Sequence, residues 1–144
     1  MEKRNEISKK IQEKLLVLQQ IKNESENIQR RMIELELLQA ELNKTTESLE
    51  FLEKIDKDKL ESLMSLGGGT FAYAELKNFK KVLVDVGAGI IIEKNVNDAI
   101  DYIKRKIERI RETMVKLEGM LQRLLEEAEK IQKEIGNLSK EIKK

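Results

Sequence analysis

The chain has 144 residues, of which 38% are charged and only 3% aromatic, and it contains no Pro, Trp, Cys or His. Those absences exclude a His-based triad, a cysteine nucleophile, a zinc site and a disulfide framework. Residues 1–55, 56–96 and 97–144 carry 10 basic and 11 acidic groups, 6 and 6, and 12 and 10, for a net charge of +1, so no segment shows the positive footprint of a nucleic-acid binder.

A long, charged, proline-free and apolar-striped composition is the signature of extended helices that pair along a seam. The first such segment is expected from about residue 4 to about 53. One seam column reads Ile7, Lys14, Ile21, Ile28, Leu35, Leu42, Leu49, and the other Ile11, Leu18, Ser25, Met32, Gln39, Thr46. Polar members weaken such a seam but fix its register and partner. Leu15 to Leu18 form an unbroken apolar run, and Leu16, Ile33, Leu37 and Leu38 fall off the seam. They read either as scattered surface residues or as a partly exposed adhesive patch. Phe51 and Leu52 are also off-seam, and the expectation is that they pack beneath the region that follows.

That region, about residues 60–94, follows a different pattern. Ser62 to Leu66 lead into Gly67-Gly68-Gly69, and Thr70 to Leu76 then alternate. Lys81 to Val86 lead into Gly87-Ala88-Gly89, and Ile90 to Glu93 follow. Short β-branched runs separated by glycine turns predict four strands in two hairpins. Val82, Val84 and Val86 share one face, with Leu83 and Asp85 on the other. Such hairpins are too small and too apolar to stand alone, and their edges need covering, most simply by the same region of another subunit. A phosphate loop is not the reading for Gly67-Gly68-Gly69-Thr70, because a Lys before the Thr and a helix after it are missing. Gly87-Ala88-Gly89 likewise falls short of a dinucleotide fingerprint.

The last segment, about 97–143, is the most regular. Ile100, Ile103, Ile107, Ile110, Met114, Leu117, Leu121, Leu124, Ala128, Ile131, Ile135, Leu138 and Ile142 are spaced by alternating steps of three and four. That mean period of 3.5 specifies a left-handed coiled-coil seam. Asn95 or Asn97 can cap its start, and Asp98 and Asp101 favour the helix dipole there. The basic cluster Lys104, Arg105, Lys106, Arg109 and Arg111 is interleaved with Glu108 and Glu112 and reads as a solvated face. Each helix would be roughly 70–75 Å long, and their near-equal lengths suggest an antiparallel hairpin with both termini at a far tip. The 22 glutamates are solvating groups, and a two-helix coil offers no water-excluding pocket for general acid–base work. The expectation is no enzyme, no catalytic residue, no cofactor and no metal. No 18-residue apolar span and no signal peptide is visible, which leaves the cytoplasm as the default location.

The order helix, Leu66-Gly67-Gly68-Gly69-Thr70-Phe71, a second strand ending Val86-Gly87-Ala88-Gly89, then Glu93-Lys94 and an Ala99-Ile100-x-x-Ile103 helix resembles the alpha class of archaeal prefoldin. The likeness covers nearly the whole chain, with its specific part at residues 66–103. Ser65 stands where many members carry proline. Two hairpins rather than one set the alpha class apart from the beta class. The resemblance implies one α+β domain, a long coiled-coil helical hairpin whose two β-hairpins assemble into an oligomeric β-barrel platform. It further implies an ATP-independent holding chaperone, with two alpha-class and four beta-class subunits in a hexamer. This captures unfolded client proteins and transfers them to a group II chaperonin; the charge balance and the lack of an apolar span or basic stripe separately lead us to expect no nucleic acid and no membrane partner. On that reading Ile7, Ile11, Leu15, Leu16, Leu18, Ile131, Ile135, Leu138 and Ile142 bind client at the tips. Phe71, Tyr73, Val82, Val84, Val86, Ile90 and Ile92 build the platform. The competing reading is a structural coiled-coil protein of the same type that polymerises into filaments by repeating the β-region contact.

Overall fold

A computed structural model describes residues 1–143. Six elements follow in chain order: α1 (Glu2–Lys54), β1 (Lys59–Gly67), β2 (Thr70–Lys77), β3 (Lys81–Gly87), β4 (Ile90–Asn95) and α2 (Val96–Lys143). Both helices are free of proline and rich in Glu, Lys and Leu, which cost little in helical form. Their ends follow the macrodipole, with Glu2 and Asp98 in first turns and Lys54, Lys140 and Lys143 in last turns. The chain divides into two compact units, residues 1–37 with those from 110 onward, and residues 38–109.

The first unit is a helix pair. Ile21, Ile28, Leu35, Ile110 and Ile131 are buried, while Ile7, Ile11, Leu18, Leu121, Leu124, Ile135, Leu138 and Ile142 are half-buried. These are the columns that the 3.5-residue spacing selects, since only a residue recurring at that period stays against its neighbour. Lys14 and Glu134 join the two helices through an ion pair at 2.5 Å. Ser25 is 9% exposed, and its Oγ is enclosed without a hydrogen-bond partner.

The second unit carries the end of α1, the start of α2 and both hairpins. Its core is Leu42, Leu49, Phe79, Val96, Ala99, Ile100, Ile103 and Ile107, with Ala99 wholly enclosed. The link between β2 and β3 holds the two helix ends. Lys80 Nζ donates to Leu52 O at 2.9 Å and to Glu53 O at 2.6 Å, so a cation satisfies carbonyls that the helix leaves open. Lys80 O accepts from Val96 N at 2.9 Å, which uses the first N–H of α2. Asn97, with its amide nitrogen facing α1, donates to Glu53 Oε1 at 2.8 Å. Phe51 also departs from expectation: it is 58% exposed rather than packed beneath the strands, and Phe79 is the aromatic that enters the core.

The strands form two separate antiparallel two-stranded sheets, β1–β2 and β3–β4. Pairing runs from Lys59↔Lys77 to Gly67↔Thr70 in one and from Lys81↔Asn95 to Gly87↔Ile90 in the other. The ladders extend outward past the apolar runs into charged residues, because backbone hydrogen bonding does not require apolar side chains. The two hairpins are built alike. Each register shifts at the last residue before the turn glycine, between Ser65 and Gly67 and between Asp85 and Gly87. A side-chain oxygen two residues earlier accepts from that glycine's N–H, Ser65 Oγ at 3.4 Å and Asp85 Oδ1 at 2.9 Å. The central residues Gly68 and Gly69, and Ala88 and Gly89, all have positive φ, as a type I′ turn requires. Ala88 at φ 53° is the exception to the glycine rule, an L-residue in a conformation that glycine adopts freely.

Candidate interaction surfaces

The hairpins expose far more apolar surface than a two-stranded ribbon can hide. Tyr73 is 96% exposed and Leu83 74%, and Phe71, Ile90 and Ile92 are exposed with them. Val82, Val84 and Val86 are half-buried, since they point to the face opposite Leu83. Register explains why exposed residues cluster. Leu63 lies across from Tyr73, Ser65 across from Phe71, and Ile91 across from Asp85, and paired residues share a face. Leu63, Met64, Leu66, Leu76, Leu83 and Ile91 are exposed apolar residues that the sequence expectation for the platform omits. Alternation alone contains the signal for Leu63 and Leu83. What hides them is that both faces of each ribbon are apolar, so a search for a single buried face discards half of them.

In the helix pair of the first unit, the residues expected to bind client fall into three groups. Leu15 and Leu16 are exposed. Ile7, Ile11, Leu18, Ile135, Leu138 and Ile142 are half-buried along the seam. Ile131 is 8% exposed, so it lies inside the seam and offers no surface while the helices are paired. Leu15, Leu18, Leu125 and Ala128 line a shallow groove with Gln19, Gln29 and Gln132 at its margins. Leu125 is exposed there, an off-seam residue that heptad reading does not mark. Ile33 and Leu37 are exposed as their off-seam positions suggest, and so are Val115 and Met120.

In the first unit Arg31 pairs with Glu34 and Lys133 with Glu129 within their own helices, and a further pair joins the two helices. Lys14 Nζ donates to Glu134 Oε2. That hydrogen bond holds the Glu134 carboxyl below the usual carboxylate range, helped by the charges of Lys14 and Lys130 and opposed by partial desolvation. In the second unit, Lys94 and Lys106 lie 5.5 and 5.3 Å from the Tyr102 ring centroid, placing two cations against one aromatic face system. Among the described residues no three His, Cys, Asp or Glu side chains are grouped so as to hold a metal ion. No helix among them is long and apolar enough to cross a membrane.

A family model described as Prefoldin subunit matches residues 21–141. The chain belongs to the prefoldin family. It is 48% identical over 128 residues to prefoldin subunit alpha of Archaeoglobus fulgidus, covering 89% of this chain and 93% of that one. It is 31% identical over 90 residues to prefoldin subunit alpha of Pyrococcus horikoshii, covering 62% and 61%. A chain from a cryo-EM structure described as filamentous PFD from Methanocaldococcus jannaschii superposes with a TM-score of 0.69 at 20% identity, over 80% of this chain and 94% of that one. That likeness is one of fold. Membership makes this a prefoldin subunit of chaperone type, whose family works as oligomers with other prefoldin subunits. The family match begins at Ile21, so Ile7, Ile11, Leu15, Leu16 and Leu18 lie ahead of it.

Proposed function

We propose that this prefoldin chain is the alpha-class subunit of an ATP-independent holdase that captures unfolded proteins and passes them to a group II chaperonin. Two copies combine with four beta-class subunits in a hexamer. The hairpins join as a double β-barrel platform, and the helix pairs carry the capturing ends. The observation that carries the reading is exposed apolar surface. On the hairpins it centres on Tyr73, Phe71 and Leu83, and on the helix pair it includes Leu15, Leu16 and Leu125. Two-stranded hairpins this apolar need further strands to be stable, which favours an assembly role for Phe71, Tyr73, Val82, Val84, Val86, Ile90 and Ile92, extended by Leu63, Leu83 and Ile91. Capture needs no enclosed site, because non-native chains present apolar segments of any sequence. Each buried side chain is worth roughly 1.5–3 kcal/mol, and several weak contacts from several arms hold a chain reversibly. Ile7, Ile11, Leu15, Leu16, Leu18, Ile135, Leu138 and Ile142 supply these contacts. Ile131 joins them only when the seam opens. No catalysis and no cofactor enter the scheme, and the cytoplasm is its setting.

The test is to co-express the chain with a beta-class partner and measure light scattering of a denatured client diluted into the complex without ATP. Suppression near one complex per client supports the holdase. Removing roughly the outer twenty residues of each helix, about 30 Å of helix, leaves assembly intact and abolishes capture; retained capture refutes the assignment to the helix ends. The filament reading draws on the description of the structural neighbour and on the like construction of the two hairpins, which suits a repeating head-to-tail contact. A concentration-dependent ladder of masses, in place of one fixed mass, would favour it.

A further inference from the structure

Lys14 interrupts an apolar seam column whose members one heptad away are Ile7 and Ile21. An ammonium left unpaired in such a seam is costly. Here it meets Glu134 of α2, with Nζ donating to Oε2 at 2.5 Å and with 32% and 40% of the two side chains accessible. An open recess beside the pair is lined by Lys10, Glu13, Val17, Asn137 and Leu138, so water and salt reach it. Towards the chain ends the seam residues Ile7, Ile11, Ile135, Leu138 and Ile142 are all half-buried, whereas towards the middle of the unit Ile21, Ile28, Leu35, Ile110 and Ile131 are buried among half-buried Leu18, Met32, Met114, Leu117, Leu121, Leu124 and Ala128.

We propose that the Lys14–Glu134 ion pair is a latch that sets how often the outer seam opens, and that opening presents Ile7, Ile11, Leu138 and Ile142 to a non-native chain. The second half rests on the reading of the helix ends as the capturing surface. An isoleucine at position 14 would complete the apolar column and hold the seam shut. A water-accessible ion pair holds it weakly and yields to salt, which keeps the outer seam near balance between paired and open states. Closure protects the apolar stripe from self-association, and a client's apolar segments replace the lost seam contacts on opening.

Hydrogen exchange on the full-length chain in its assembled complex, at one pH and low salt, tests the latch. Glu134→Gln keeps the shape and removes the charge. Amides in residues 5–18 and 131–142 should then exchange roughly two- to fivefold faster, with residues 38–109 unchanged. Lys14→Ile should slow the same amides. The exchanged pair Lys14→Glu with Glu134→Lys should restore wild-type rates, and high salt should erase the difference between wild type and Glu134→Gln. Unchanged exchange in Glu134→Gln, or an exchanged pair as fast as that variant, overturns the latch. Light-scattering assays on the same proteins test presentation, with capture strongest in Glu134→Gln and weakest in Lys14→Ile. Exchange that follows this order while capture stays constant overturns presentation and the capture reading of the helix ends, and leaves the latch standing.

Discussion

Ser25 sits in the seam column between Leu18 and Met32, and its enclosed Oγ has no partner. Other hydroxyls of the same helix show what satisfaction looks like. Thr45, Thr46 and Ser48 donate to the carbonyls of Glu41, Leu42 and Lys44 at 3.1, 3.0 and 3.1 Å. A buried hydroxyl without such a bond costs about 1–3 kcal/mol, and alanine gains about 0.5 kcal/mol in helix propensity over serine. Losing the dispersion contacts of one oxygen takes back a few tenths. Ser25→Ala should therefore stabilise the helix pair by about 1–3 kcal/mol. Unfolding entropy of about 2.1 cal/mol/K per residue gives about 0.3 kcal/mol/K for a chain of this length, so Tm should rise by roughly 3–10 °C. Calorimetry on wild type and variant at matched concentration measures this, since association shifts Tm by mass action. Hydrogen exchange should place the added protection around residues 18–32. A variant destabilised by about 1 kcal/mol or more would refute the reasoning, because it would mean that the hydroxyl makes a bond the protein needs.

Replacing Tyr73 and Leu83 by glutamate should convert the assembled oligomer to smaller species in multi-angle light scattering, because both side chains are exposed and a charge at a buried subunit contact is strongly unfavourable. An unchanged mass would remove the hairpins from the interface. Ala88→Gly relieves the positive φ of 53° and should raise stability by up to about 1 kcal/mol, read as a higher Tm; a fall would show that the turn tolerates alanine without strain. Acidification should loosen the outer seam. The folded-state value of Glu134 is lowered, chiefly by the hydrogen bond from Lys14 and further by the charges of Lys14 and Lys130. Its contribution is thus full above the unfolded carboxylate value and is lost as pH falls through the folded one. Lys10 and Glu13 line the same recess from α1. Protection factors for residues 5–18, corrected for intrinsic exchange, should fall across the carboxylate range in wild type and much less in Glu134→Gln; equal falls in both would assign the change to other groups.

The heptad spacing of α2 and the glycine punctuation of the β region made the element types legible without coordinates. Both are local properties: a 3.5-residue period selects the buried stripe wherever the helix finds a neighbour, and type I′ turns demand residues that tolerate positive φ. The thirteen α2 seam positions are accordingly all buried or half-buried. The exposed state of Leu16, Ile33 and Leu37 was legible for the same reason, since each lies off the stripe.

Other features depend on segments far apart in the chain. Phe79 rather than Phe51 enters the core, and nothing in the local pattern distinguishes the two rings. Lys80 is one lysine among many in the sequence, yet its ammonium closes the end of α1 and its carbonyl receives the first N–H of α2. The partner of Lys14 lies 120 residues away, so only the register between the two helices could select Glu134 from 22 glutamates. Periodicity by itself determined which residues face a partner. Tertiary structure decided which partner each one meets, because pairing energies act between side chains brought together by packing and leave no trace in local spacing.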